Sequence, residues 1–165
     1  MDAIRDAIIG TLNTWGVPAQ IITAMISMIP ILELRGAIIA AGALGLDLIQ
    51  TYIIAVIANM LPIPFILLFI QSIFNWMKTK DKLKKIPLKL EEKTLQKSEQ
   101  IEKYGYWGLM IFVGIPLPGT GAWTGALLAV LMGLNRKKSL FFIFLGVLLA
   151  GLIMTLGVGM FGLVL

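Results

Sequence analysis

The stretch Ile29-Pro30-Ile31-Leu32-Glu33-Leu34-Arg35-Gly36-Ala37 sets a carboxylate, Glu33, and a guanidinium, Arg35, near the middle of Val17 to Leu46, a segment otherwise uncharged and mostly apolar. A bilayer centre opposes an acid or an arginine by about 2.5–3.5 kcal/mol on insertion scales, so ionisable groups placed there mark a functional site. A lone buried carboxylate takes up a proton rather than stay ionised. A second stretch, Gly114-Ile115-Pro116-Leu117-Pro118-Gly119-Thr120-Gly121-Ala122-Trp123-Thr124-Gly125, interrupts another apolar segment with two prolines and four glycines. Backbone broken at membrane depth survives only where protein buries it or where it lines a polar cavity.

Composition agrees with a membrane setting. Of 165 residues, 58% are hydrophobic and 14% charged, with a mean hydropathy of +0.91, whereas soluble domains carry about 25% charged residues. The reading is an all-α integral membrane protein of one domain, multi-pass in the cell membrane of a prokaryote. Without cysteine there is no disulfide or thiolate chemistry, and without histidine the usual metal ligand and general base are missing. No cofactor, no metal and no enzymatic activity are therefore expected. An intramembrane serine protease would want its histidine and an aspartyl protease two membrane aspartates, and only Asp47 adjoins a membrane segment. The net charge of +5 lies in two blocks beside apolar segments, which reads as membrane topology and not as nucleic-acid binding.

Six segments follow from the pattern. Residues 1–16 read as an interfacial helix, with Ile4, Ala7, Ile8 and Leu12 on one face, and are taken as part of the mature chain because acids stand where a signal peptide has bases. Residues 17–47 read as a re-entrant helical hairpin with its tip at Pro30 to Gly36. One continuous helix there would be about 45 Å long with proline, two charges and glycine at its centre. Residues 48–77 read as a transmembrane helix ending at Trp76, with a proline break at Asn59-Met60-Leu61-Pro62-Ile63-Pro64 that frees the carbonyls of Ala58 and Met60. Residues 78–104, with nine lysines, read as a cytoplasmic amphipathic helix starting at Pro87 and lying on the membrane surface or on its own protein. Residues 105–135 read as a second re-entrant hairpin, because a return to the starting side keeps Arg136-Lys137-Lys138 with the lysine-rich loop. Residues 136–165 then form a final transmembrane helix.

Hairpin-then-span occurs twice. A shift of 88 positions aligns Pro30 with Pro118, Ala41 with Ala129, Gly45 with Gly133, Leu46 with Leu134, and Asp47 with Asn135. With the lysine loop inside, the two hairpins enter from opposite sides, an inverted repeat whose tips are expected to meet near the midplane. Paired broken segments in two halves point to a transporter's binding site.

At these residues the chain resembles the small multi-drug export protein family, through Glu33-Leu34-Arg35-Gly36 and Pro116-Leu117-Pro118-Gly119-Thr120-Gly121-Ala122-Trp123-Thr124-Gly125. More distantly it is similar to the DedA, or VTT-type, membrane proteins, a resemblance that implies facing re-entrant hairpins, a proton-linked acid at Glu33 and a phosphate-binding role for Arg35. The DedA pattern has arginines in its second hairpin, and Phe112 to Gly125 has none.

The expected substrate- and proton-binding residues are Glu33, Arg35, Asn59, Thr120 and Trp123. The tips are expected to be shaped by Pro30, Gly36, Pro116, Pro118, Gly119 and Gly121. On a regular helix Glu33 and Arg35 would point about 200° apart, so either the tip is irregular or each faces its own partner. The function expected is a proton-coupled secondary transporter moving a lipid-phosphate or similar amphipathic substrate. A cationic-drug exporter and a non-transport scaffold or assembly factor are the alternatives. Expected partners are membrane lipids and a small amphipathic substrate, with homodimerisation left open.

Overall fold

A computed structural model of the chain describes residues 16, 18–80 and 83–162. Eight helices occur among them: α1 (Ala19–Met28), α2 (Glu33–Ala43), α3 (Leu48–Met60), α4 (Ile63–Lys78), α5 (Lys85–Leu95), α6 (Glu99–Gly114), α7 (Ala122–Leu131) and α8 (Arg136–Gly162), with no strand. Apart from Gly16, the interfacial helix expected over 1–16 lies outside the described residues.

Two stretches are long and apolar enough to cross a membrane: Leu48–Lys78, 31 residues with mean hydropathy 2.6, and Arg136–Met160, 25 residues with the same value. Only 33% and 28% of their most apolar windows are buried. On Leu48–Lys78 the exposed positions Ile49, Ile53 and Ile57 recur every fourth residue and continue through Phe65, Phe69, Ile73 and Trp76. A stripe of that kind suits lipid. The expected break is present. Leu61 and Pro62 keep right-handed helical dihedrals, but the Ala58 carbonyl, deprived of a donor by Pro62, accepts instead from the Leu61 N–H at 3.3 Å. One of the two acceptors that the sequence frees is thus taken up again in a tighter turn.

The chain divides into two compact units, Met1–Leu61 with Leu148–Leu165, and Pro62–Val147. In the first, α1 and α2 form a helical hairpin and α3 packs along both. Its arms of 10 and 11 residues rise about 15 Å each, half of a hydrocarbon core of about 30 Å. Small residues let the elements close up. A Cβ on Gly42 would stand 2.2 Å from a Val158 methyl, and one on Gly151 would stand 2.6 Å from the Tyr52 ring. The Tyr52 hydroxyl donates to the Leu148 carbonyl at 3.2 Å.

In the second unit α7 packs against α4, α5 and α6. A Cβ on Gly146 would meet the Met110 carbonyl oxygen at 2.7 Å, so α8 and α6 are in backbone contact there. The base of this second hairpin is closed by the Asn135 N–H donating to the Tyr106 hydroxyl oxygen at 3.0 Å. Tyr106 and Trp107 both pack on Phe142, and the Lys138 ammonium stands 5.8 Å from the Tyr106 ring centre.

The polar segment 78–104 differs from the single helix read in the sequence. It forms two helices, because the chain turns at Gln96–Ser98, and the first begins at Lys85, two residues ahead of Pro87. Pro87 still falls in the first turn, where its missing N–H costs no hydrogen bond. Of the two settings expected for this segment, α5 takes the protein: it lies against α4 and α7 and is tied by Lys78 to Glu91 at 2.7 Å. Within α6, Gly105 (φ 58°, ψ −132°) breaks the helix and redirects the chain.

Candidate functional site

In the first unit the tip residues Ile29–Leu32 link α1 to α2, with Ile31 92% exposed. The tip is closed by the Glu33 N–H donating to the Ile29 carbonyl and the Gly36 N–H donating to Leu32, both at 2.9 Å. Pro30 is exposed within it, and Gly36 is needed for contact, since a Cβ there would stand 2.9 Å from Leu32 Cβ. Glu33 opens α2 with φ 51° and is the one described non-glycine residue with positive φ. Its side chain is 4% exposed. An L-residue in the left-handed region costs about 1–2 kcal/mol, and such strain gathers at functional sites. The tip is irregular at Glu33, so the separation of about 200° that a regular helix would impose on Glu33 and Arg35 does not apply.

Asn59 lies on the last turn of α3 and is fully buried. Neither its Oδ1 nor its Nδ2 has a hydrogen-bond partner among the described residues. That is unusual, because nearly all buried polar groups are bonded. Thr23, Ser27 and Thr51 are also buried in this unit. Sequence reading missed these three, although hydroxyls four residues apart on an apolar helix, Thr23 and Ser27, were a legible signal.

In the second unit the tip, residues 115–121, is a set of turns requiring glycine, with Gly119 at φ 78° and Gly121 at φ 123°. The Thr120 hydroxyl shares its one proton between the Ile115 carbonyl at 2.9 Å and the Leu117 carbonyl at 2.8 Å, while the Thr120 N–H donates to Leu117 at 3.2 Å. These donors, expected to face a ligand, serve the tip's own carbonyls. Pro116 is half-buried and Pro118 exposed, and Trp123 is half-buried in the first turn of α7. The Lys97 ammonium donates to the Gly119 carbonyl at 2.5 Å, a contact that sequence reading did not anticipate. Lys97 therefore stands at the level of the tip while Tyr106 and Asn135 mark the base. The turn at Gly105 explains this: residues before it run from tip to base and residues after it run back. A cleft of about 300 Å³ opens beside the tip, with Lys97, Glu99 and Gln96 on one side and Phe112, Ile115 and Pro118 on the other.

Glu33, Arg35 and Asn59 thus belong to the first unit, and Thr120 and Trp123 to the second. No group of acids that could hold a metal ion occurs among the described residues. A model of the small multi-drug export protein family matches residues 33–153, a range that begins at Glu33, just after the first hairpin tip, and takes in the second tip. No curated protein and no solved structure matches the chain.

Proposed function

This chain belongs to the small multi-drug export protein family, and from that premise we propose that it is a membrane exporter of small amphipathic molecules, driven by exchange of a cation at Glu33. The observation that carries the reading is the backbone of Glu33. At the 88-residue shift Glu33 aligns with Gly121, and both have positive φ, 51° and 123°. The second hairpin has glycine at the matching position, in a different, extended positive-φ conformation (φ 123°, ψ −179°). The first keeps a carboxylate there at a cost in strain, so selection for fold alone does not account for it. Half-length arms, lipid-suited faces on the two long helices and an aromatic and basic cluster at the base of the second hairpin support a membrane setting with two oppositely oriented re-entrant hairpins.

The substrate class proposed is a cationic or neutral amphipath. A lipid phosphate was expected from the balance of donors at the tips, and that balance changes once the Thr120 hydroxyl and N–H are committed to the tip's own carbonyls. The test is reconstitution of the purified chain in proteoliposomes with a fluorescent cationic dye inside and an imposed pH or Na⁺ gradient. Gradient-driven dye efflux that disappears in Glu33→Gln supports the reading. Efflux at the wild-type rate in that variant overturns it.

A further inference from the structure

Four buried polar side chains of the first unit lie on α1 and α3. Thr23 and Ser27 are 5% and 0% exposed on α1, and Thr51 and Asn59 are 4% and 0% exposed on α3. The two helices pack along each other. Both begin at a small pocket, about 50 Å³, whose lining includes Gln20, Thr23, Asp47, Gln50 and Thr51. Ser27 is one turn beyond Thr23, and Asn59 is two turns beyond Thr51, about 12 Å along the axis. Met28, the end of α1, is about 7.5 Å beyond Thr23, so Asn59 lies past the end of α1. Ala55, between Thr51 and Asn59 on the same side of α3, is 0% exposed, whereas Ile53 and Ile57 on the opposite side are 51% and 60% exposed.

The hydrogen bonds of these side chains give the seam between the two helices a sign. The Thr23 hydroxyl donates to the Ala19 carbonyl at 2.9 Å and the Ser27 hydroxyl to the Thr23 carbonyl at 2.8 Å. A hydroxyl has one proton, so each presents only lone pairs to anything beside it. The Asp47 carboxylate accepts from the Gln50 N–H at 2.6 Å at the mouth. Asn59 offers an amide without a protein partner at the inner end. A buried amide of that kind is costly unless water or an ion satisfies it. The charged or titratable side chains among the described residues of this unit are Glu33, Arg35, Asp47 and Tyr52, two acids against one base. Acceptors along the seam and an acid at each end suit a cation with its water and disfavour an anion.

We propose that the seam between α1 and α3 is a hydrated cation path from the Asp47 mouth to Asn59 and Glu33, carrying a proton on water or Na⁺. Its purpose rests on the coupled-export reading, but its presence does not require transport to be observed. The natural chain has no cysteine, so single substitutions report water and charge directly. Full-length Ser27→Cys, Thr51→Cys and Ala55→Cys, with Ile57→Cys as control, are reconstituted. Each is treated from the Asp47 side with a trimethylammonium methanethiosulfonate and with its sulfonate counterpart, and rates are normalised to a free thiol. The expected result is at least a tenfold preference for the cationic reagent at the three seam positions and no reaction at Ile57→Cys. Slowing by Na⁺ relative to choline then assigns the path to Na⁺, and an unchanged rate assigns it to the hydrated proton. No modification at any seam position, or equal or faster reaction with the sulfonate, overturns the path. Ala55→Cys and Thr51→Cys keep the test decisive if Ser27→Cys does not fold. A cation-selective pattern without dye efflux in the same vesicles leaves the path standing and removes the exporter.

Discussion

The corners that follow the two hairpins are nearly the same object, and the tips that precede those corners are not. At a shift of 88 residues, α2 and α7 end at Ala43 and Leu131, and α3 and α8 begin at Leu48 and Arg136. Between them the hydrogen bonds repeat one for one. Leu44 and Met132 donate to Ala40 and Leu128 at 3.0 and 2.9 Å, Gly45 and Gly133 to Gly42 and Val130 at 3.1 Å, and Leu46 and Leu134 to Ala41 and Ala129 at 2.9 Å. Both glycines have φ 67°. This is the helix C-terminal motif in which a left-handed glycine lets the last carbonyls be satisfied. The tips diverge: residues 29–32 join the arms of the first, whereas 115–121 join those of the second and carry two glycines at positive φ. The corners are the repeated part, and the difference is concentrated at the tips, which the proposed function makes the site of handling.

The sharpest way to break that comparison is at Glu33, the strained position at which the second hairpin has glycine. Glu33→Gln should lower gradient-driven dye efflux at least 100-fold, because it keeps size and removes the exchangeable charge. Glu33→Gly and Glu33→Ala should both be inactive, but the glycine variant should be the more stable of the two by about 1 kcal/mol, since only glycine removes the left-handed strain. Thermal unfolding in detergent measures the difference. Equal stability would mean that the Glu33 backbone is not strained and would take away the argument for a functional carboxylate.

Packing along α8 gives the next largest effect. A methyl at Gly146 meets the Met110 carbonyl oxygen, whereas a methyl at Gly151 meets the Tyr52 ring, which can move more readily than backbone. Gly146→Ala should cost about 1–3 kcal/mol and Gly151→Ala less. The reverse order, read from the same unfolding curves, would put the tight helix contact in the first unit instead of the second.

The corners themselves should respond alike. Gly45→Ala and Gly133→Ala each place a side chain at φ 67°, and each should cost about 1–2 kcal/mol. A difference larger than about 1 kcal/mol, measured by the same unfolding, would show that one corner is held by its surroundings and not by its own backbone.

Much of this architecture was legible in the sequence because its signals are local. Pro30 and the run from Gly114 to Gly121 mark where helices stop, whereas Gly36, expected at the tip, falls inside α2, and the alignment of Asp47 with Asn135 located both corners. What could not be read were consequences of distant contact. The lysine-rich segment carries a continuous helical pattern, yet it breaks at Gln96–Ser98, and Lys97 reaches Gly119, 22 positions away. Nothing in the residues near Lys97 signals that. The Thr120 hydroxyl was legible as a donor but its acceptors were not, since the turn that brings the carbonyls of Ile115 and Leu117 within reach depends on the left-handed glycines. At Glu33 the residue pattern identified an acid in an apolar segment, and only the backbone revealed that the position is one where glycine would fit better.

The smallest expected effect lies at the helix starts, where the two corners use different chemistry for one task. Asp47 caps α3 with a single charged bond to Gln50 at 2.6 Å. Asn135 caps α8 with two longer bonds, to Lys137 at 3.1 Å and Lys138 at 3.2 Å, and its own N–H is held by Tyr106. Removing a capping side chain typically costs about 1 kcal/mol, and Asp47→Ala should reach that value while Asn135→Ala falls below it, because Tyr106 still anchors the backbone. The charge exchange is more telling. Asn135→Asp sets an anion at a helix N-terminus beside Arg136, Lys137 and Lys138 and should stabilise by about 0.3–1 kcal/mol. Its functional cost should nevertheless appear in orientation: under the proposed topology those bases hold the corner inside, so an added acid should leave efflux per correctly oriented protein unchanged and lower only the fraction so oriented, read by cysteine labelling at positions 96 and 134. Unchanged labelling, with the stability gain intact, would show that the cap and not the charge sets this corner, and the two corners would then be equivalent in the respect in which the proposed topology makes them different.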